Sequence, residues 1–125
     1  MSKNCYCGNV KPFAECCEIF IKEIEKAPTA EKLMRSRYSA YATHAVDYLV
    51  NTTHVSKRKY HSKEDILIWS KSNQWIKLEI LNSSENTVEF KAYYIDSDLK
   101  AQVHHEKSGF KNDNGLWFYV DGEFY

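Results

Sequence analysis

Trp75-Ile76-Lys77-Leu78-Glu79-Ile80, then the turn residues Ser83-Ser84-Glu85-Asn86, then Val88-Glu89-Phe90-Lys91-Ala92-Tyr93-Tyr94: in this stretch the hydrophobic period of the chain changes to two. Side chains alternate across a strand, so Ile76, Leu78 and Ile80 are expected on one face with Lys77 and Glu79 on the other. Val88, Phe90, Ala92 and Tyr94 repeat the pattern in a second, antiparallel strand. A third strand is expected over Ala101 to Lys111. Asn114-Gly115 suits a tight hairpin turn and leads into a fourth strand at Leu116-Trp117-Phe118-Tyr119-Val120.

Upstream of Trp75 the spacing is helical. Ala30, Leu33, Met34, Arg37, Tyr38 and Tyr41 recur every three or four residues behind Thr29, whose hydroxyl suits an N-cap, and this predicts a helix from Thr29 to Thr43. A shorter helix is expected over Ala45 to Val50. Ser62 with Asp65 resembles a capping box and opens a third helix, through Ile66, Leu67 and Trp69, to about Ser72. Helices first and an antiparallel meander afterwards give an α+β fold in which the helices cover one face of a strongly curved sheet.

All four cysteines lie at the far N-terminal end, as Cys5-x-Cys7 and Cys16-Cys17. Four thiolates at that density suit a tetrahedral Zn2+ ion and leave no position for a catalytic water, so the expected metal is structural. Gly8 can supply the positive φ that a knuckle uses to turn N–H groups onto sulfur, and Pro12 suits the first turn of a helix, expected over Phe13 to Lys26, that would carry Cys16 and Cys17. Disulfides compete, yet no apolar signal segment is evident and a vicinal Cys16-Cys17 bond would be strained. Inert thiols compete too, although chance does not readily confine every cysteine to the first seventeen residues of 125. The expected organisation is a zinc knuckle with a short helix over residues 1–26 and an α+β domain over residues 27–125.

Seventeen basic and seventeen acidic side chains cancel. That balance argues against electrostatic binding to bare nucleic acid or an anionic membrane, and the one basic run, Lys57-Arg58-Lys59, reads as a solvated loop. No apolar stretch is long enough to span a bilayer. Cysteines suited to the reduced state and no targeting segment make the cytoplasm the expected compartment. Nine Tyr, six Phe and three Trp against four Gly and two Pro describe an ordered domain.

Cys5-Tyr6-Cys7-Gly8 followed by Cys16-Cys17 matches the C-x-C-x8-C-C pattern of the SEC-C zinc-binding motif. The run Ala30 to Tyr41, Asp47-Tyr48-Leu49, Thr52-x-His54, His105-Glu106-x-Ser108-x-Phe110 and Trp117-x-Tyr119-x-Asp121-Gly122 resemble the YchJ family over nearly the whole chain. The resemblance implies a SEC-C knuckle joined to a domain similar to nuclear transport factor 2, a cone of helices wrapped by a bent sheet, and it brings no reaction with it. The chain departs from the pattern at Tyr6, where Pro is common, at Asn9-Val10, where Ser-Gly is usual, and in lacking the second SEC-C motif that many members carry after the cone.

Cone folds place pockets between helix and sheet, and the candidate ligand-binding residues are Arg35, Arg37, Tyr38, Tyr41 and Glu106, with Tyr94 and Tyr119 nearby in pattern. His54 and Glu106 are the candidate catalytic groups, since an imidazole titrates near neutral pH. Arg37 shares the helical stripe of Leu33, Met34 and Tyr41 and needs an acceptor there; an ion pair with Glu106 is the expected solution. Strand parity separates His105 from Glu106, Ser108 and Phe110. His44, His61 and His104 are expected to face solvent. The abundance of aromatics suggests a filled cone. The expected function is binding of a partner protein or small ligand without catalysis, with an isomerase, dehydratase or hydrolase acting in the cone pocket as the alternative. The sequence leaves the partner and the oligomeric state open.

Overall fold

In the computed structural model, which describes residues 4–125, helices precede strands as the periodicity requires. Residues 1–3 of the expected knuckle segment lie outside the described residues. Helix α1 covers Cys17–Ile21, α2 Ala30–Thr43, α3 Val46–Asn51 and α4 Lys63–Ser72, with 3₁₀ turns at Phe13–Glu15 and Val55–Tyr60. Strands β1 (Gln74–Ser83), β2 (Thr87–Ile95), β3 (Ala101–Asp113) and β4 (Leu116–Phe124) form a four-stranded antiparallel sheet in sequential order. The helices pack on one face of this curved sheet. Among the described residues no helix is long and apolar enough to cross a membrane.

Local chemistry sets the boundaries. Thr29 Oγ1 accepts the N–H of Lys32 at 3.1 Å, which satisfies one of the free donors at the start of α2. The helix stops at His44, which adopts φ 62° as a left-handed cap. Nδ1 of His44 then stands 2.6 Å from Ser70 Oγ, and that hydroxyl donates to the carbonyl of Tyr41 at 2.7 Å, so the end of α2 is tied to α4. Ser62 caps α4 by accepting from the N–H of Asp65. Asn114 and Gly115 both have positive φ, 55° and 87°, the pairing that a two-residue hairpin turn demands.

Parity holds in β2 and β3. Val88, Phe90 and Ala92, and Glu106, Ser108 and Phe110, are all buried beneath the helices, together with Leu33 and Leu49. It fails in β1, where the register shifts between Trp75 and Lys77. The extra residue turns Trp75 inward, its Nε1–H donating to the carbonyl of Ser70 at 3.1 Å, and leaves Ile76 54% exposed. Two further shifts, between Ile80 and Asn82 and between Gly109 and Phe110, bend the sheet again.

The short helix expected within Phe13 to Lys26 is present but begins later and ends earlier than that segment, at Cys17–Ile21. Pro12 precedes a short 3₁₀ turn, Cys16 leaves the helical region with φ −126° and ψ −104°, and α1 ends before Lys22. Cys16 must turn its sulfur back toward Cys7, and a continuous helix would point it elsewhere. Downstream Ile24 is exposed.

The bulge in β1 separates two apolar residues that simple alternation would treat alike. Leu78→Ala is expected to cost about 2–4 kcal/mol by removing a buried side chain, and Ile76→Ala less than about 1 kcal/mol. Urea unfolding of both variants checks this, and equal losses would mean that Ile76 is buried and the bulge absent.

Candidate functional site

Two features hold chemistry. The first is the cysteine cluster: Cys5, Cys7 and Cys17 are buried, Cys16 is half-buried, and all four are free thiols. Their sulfurs lie within 4.8 Å of one another, with Cys7 to Cys16 at 3.8 Å and Cys16 to Cys17 at 4.0 Å. Gly8, at φ 92°, folds the loop so that its N–H donates to the carbonyl of Cys5 at 3.0 Å. Neighbouring donors face the sulfurs: the Asn9 amide reaches Cys16 Sγ at 3.5 Å, and Ser39 Oγ lies 3.6 Å from Cys5 Sγ. Arg35 ties α2 to the loop, donating from Nη1 to the carbonyl of Cys7 at 2.9 Å.

Crowding splits the thiols electrostatically. Hydrogen bonds from Cys17 and Cys7 hold the Cys5 thiol well down. Burial and the negative charge of neighbouring sulfurs push Cys16 up to about 11. Cys17 is pushed far up, by its bonds to Cys5 and Cys7 and by burial. Thiolates this close repel one another, a repulsion that a cation among them would relieve, and the cluster could hold a metal ion through four sulfurs.

The second feature is a cavity of about 200 Å3 between α2, α4 and the sheet. Tyr38, Tyr41, Trp69, Trp75 and Phe90 supply aromatic walls, and Arg37, His61, His104, Glu106 and Tyr119 supply polar groups. At its base Glu106 Oε1 is 2.7 Å from His104 Nε2, while Oε2 accepts from Ser108 Oγ at 2.6 Å and from the Tyr119 hydroxyl at 2.9 Å. Burial opposes its ionisation, but these donors outweigh burial and hold the carboxyl below its ordinary value. Burial and the adjacent Glu106 charge push Tyr119 up, so it stays protonated. Burial, then the charge of Arg37, lower His61. Gly122, across the ladder from Ser108, leaves the space Glu106 fills: a Cβ there would overlap the carboxylate.

Arg37 points inward as expected, and so does Glu106, each only 6% exposed, but they do not form the expected ion pair. Tyr119 stands between them. Its ring receives the Arg37 guanidinium 4.6 Å from the centroid, and its hydroxyl goes to Glu106. Nη1 of Arg37 instead donates to the carbonyl of Leu49 at 3.0 Å and to Thr52 Oγ1 at 2.7 Å, with Thr53 Oγ1 at 3.4 Å. The end of α3 offers those oxygens, so the guanidinium has acceptors without a carboxylate.

The other candidates separate. Tyr38 and Tyr41 join Arg37 and Glu106 at the cavity, whereas Arg35 faces the cysteine loop and Glu31, 3.0 Å away. His54 is outside the cavity wall: Nε2 lies 2.7 Å from Asp113 Oδ2 and Nδ1 2.8 Å from Ser56 Oγ. His105 pairs with Glu89 on the opposite face of the sheet, and Tyr94 packs against Trp69 and Trp75. His61 and His104, expected in solvent, line the cavity. Parity could have found His104, which shares the face of Glu106 and Ser108; His61 follows a 3₁₀ turn and carried no periodic signal. In the basic run Arg58 donates to the carbonyls of Thr53 and Asn51, closing the end of α3.

Residues 29–122 match the family model described as YchJ, middle NTF2-like domain. A UPF0225 protein of Vibrio vulnificus strain YJ016 is 43% identical over 130 residues, covering 99% of this chain and 77% of that protein. A UPF0225 protein of Geobacter sulfurreducens is 38% identical over 129 residues, covering 98% and 80%. The solution structure of a SEC-C motif containing protein from Rhodopseudomonas palustris superposes with a TM-score of 0.91 at 36% identity, covering 97% of this chain and 98% of that one. The crystal structure of a SEC-C motif containing protein from Psychrobacter arcticus gives 0.79 at 26% identity, covering 95% and 81%.

Glu106→Gln is expected to cost about 1.5–3 kcal/mol near neutral pH, the range for hydrogen bonds to a charged acceptor. The folded carboxyl titrates below its unfolded value, so its contribution is complete above about pH 4.5 and is lost as pH falls through the folded value. Urea unfolding across the acid range should show parent and variant converging. A gap that widens on acidification would mean that the buried carboxyl is neutral.

Proposed function

We propose, from the premise that this chain belongs to the YchJ family, that it is a small-ligand-binding protein stabilised by structural zinc. The observation that carries the reading is the cavity of about 200 Å3 left open beneath α2 and α4, where the aromatic count suggested filling. An apolar cavity of about 150 Å3 is enough to hold benzene, so a one-ring molecule with a small substituent fits. Flat aromatic walls and a few convergent polar groups are the usual make-up of a binding site.

Binding without turnover is favoured by how the polar groups are spent. Glu106 already receives three donors and Tyr119 holds its proton, so neither is poised as a base. A second reading, acid-base catalysis of the isomerase, dehydratase or hydrolase kind, is favoured by His104, which sits at the wall with Nε2 oriented by Glu106. Recovering a bound compound chemically unchanged after long incubation supports the first reading; its conversion supports the second.

Zinc is favoured by the cluster's dimensions. Tetrahedral ligands about 2.3 Å from an ion stand about 3.8 Å apart, close to the 3.8 and 4.0 Å between neighbouring sulfurs. A closed four-sulfur shell holds the fold and does no chemistry. Free thiols also favour a reducing compartment, the cytoplasm.

Two measurements check these readings. Protein purified without added metal should contain about one zinc per chain, and Cys16→Ser should lose it, since such sites bind with apparent free energies on the order of 10 kcal/mol; folded, metal-free protein with disulfides among these cysteines would sink the claim. Toluene or phenol near saturation should shift the NMR resonances of Ile66 and Ala92 at the cavity wall, and Ala92→Leu, which fills the space, should abolish the shifts. Unmoved resonances would sink the cavity reading.

A further inference from the structure

We infer that the cavity's ligand is a small planar carboxylate, seated with its oxygens on the open edge of Arg37; this rests on the reading of the cavity as a ligand site. The two buried charges differ in what each has left to offer. Glu106 accepts from His104, Ser108 and Tyr119, so its negative charge is met by three donors. Arg37 commits one nitrogen, Nη1, to Leu49, Thr52 and Thr53. Among the described residues its Nε and Nη2 make no hydrogen bond, and it has no carboxylate within 4 Å. No fully buried side-chain nitrogen or oxygen among the described residues lacks a partner, so these two nitrogens are not sealed in. Arg37 is only 6% exposed and lines the cavity, and the space its free edge reaches is therefore the cavity itself.

Nε and Nη2 form one side of the guanidinium fork, the side that takes the two oxygens of a carboxylate in parallel. A cation buried against neutral oxygens and a ring face has lost its water without gaining a counter-charge, and a ligand anion supplies one. The space beyond Arg37 is walled by Tyr41, Trp69, Trp75 and Phe90, which favour a flat, apolar body over an extended or heavily hydrated one. Tyr119 screens this position from Glu106, with its ring under Arg37 and its hydroxyl on the carboxylate. An ammonium ligand would need an acceptor that Glu106 has largely given away.

The test uses the full-length protein and three probes of one size: sodium benzoate, benzamide and benzylammonium chloride, titrated by calorimetry and by NMR with the arginine Nε–H resonances resolved. Benzoate should bind at least about tenfold more tightly than benzamide, and about 1.4 kcal/mol corresponds to that factor; benzylammonium should be weaker still, and benzoate should shift the Arg37 Nε–H signal. Arg37→Lys keeps the charge without the fork and should lose about tenfold of the benzoate affinity; should it fail to fold, the three-probe comparison on the parent protein still decides. Equal binding of benzoate and benzamide, or tightest binding of benzylammonium, would overturn the carboxylate while leaving the cavity reading in place. No binding of any probe, with toluene also silent, would overturn both; no binding of any probe while toluene shifts Ile66 and Ala92 would overturn the carboxylate alone.

Discussion

With the Arg37 guanidinium 4.6 Å from its ring centroid and the Glu106 carboxylate 2.9 Å from its hydroxyl, Tyr119 keeps two opposite buried charges from meeting. A direct pair would have been the simpler arrangement, with helix and sheet clasped together and little space between them. Inserting a tyrosine changes the outcome: each charge is anchored on a different side of the ring. The tyrosine is itself fixed by its backbone. Its N–H donates to the carbonyl of Thr52 at 2.7 Å, and its carbonyl accepts from His54 at 2.8 Å, in a lone parallel bridge beside Thr53. Thr52 and Thr53 also receive Arg37, so the end of α3, β4 and the inner face of α2 are coupled through a few polar contacts. Such networks are worth most when every member is satisfied; Glu106 and the Tyr119 hydroxyl are, whereas Arg37 is held through Nη1 alone.

Helix α2 is the shared wall between this network and the cysteine cluster. Arg35 and Ser39, four residues apart, lie on one side of it and meet the carbonyl of Cys7 and the sulfur of Cys5. Met34, Arg37, Tyr38 and Tyr41 lie on the other and face the cavity. The buried cysteines therefore belong to the same apolar cluster as Leu33 and Leu49. A metal held by the cluster would fix one side of the helix whose other side carries Arg37, and would so have a route to the geometry of the cavity.

What could be read in advance was whatever depends on neighbours in sequence. Thr29 and Ser62 as caps, the end of α2 at Thr43 and the Asn114-Gly115 turn are local choices, and the structure has them all. The cysteine quartet was legible too, because all four cysteines fall between Cys5 and Cys17. Parity carried Glu106, Ser108 and Phe110 to the inner face, and followed one step further it would have carried His104 with them. The bulge at Trp75 was invisible because an inserted residue leaves no mark in composition, and it reversed the side on which Ile76 lies. The Arg37–Glu106 pair failed for a related reason: helical phase and strand parity say which way two side chains point and nothing of what stands between them. Fifteen residues along the chain, the oxygens of Thr52 offered Arg37 a nearer acceptor.

The open cavity follows from the same features that sequence periodicity missed. Three register shifts interrupt the regular sheet, and where β3 meets β4 the absence of a side chain at Gly122 leaves the room that the Glu106 side chain occupies. Bulky aromatics alone would fill such a space, as composition suggests. Here Trp69, Trp75 and Tyr94 pack against one another, with centroids 5.2 to 6.0 Å apart, at the α4–β1 end. Packed edge-on or tilted against each other, they leave Trp69 and Trp75 as a wall of the cavity instead of a plug. The polar network holds its charges at the wall of the same cavity, so a molecule entering it would meet aromatic rings and a guanidinium already held in place by Leu49 and Thr52.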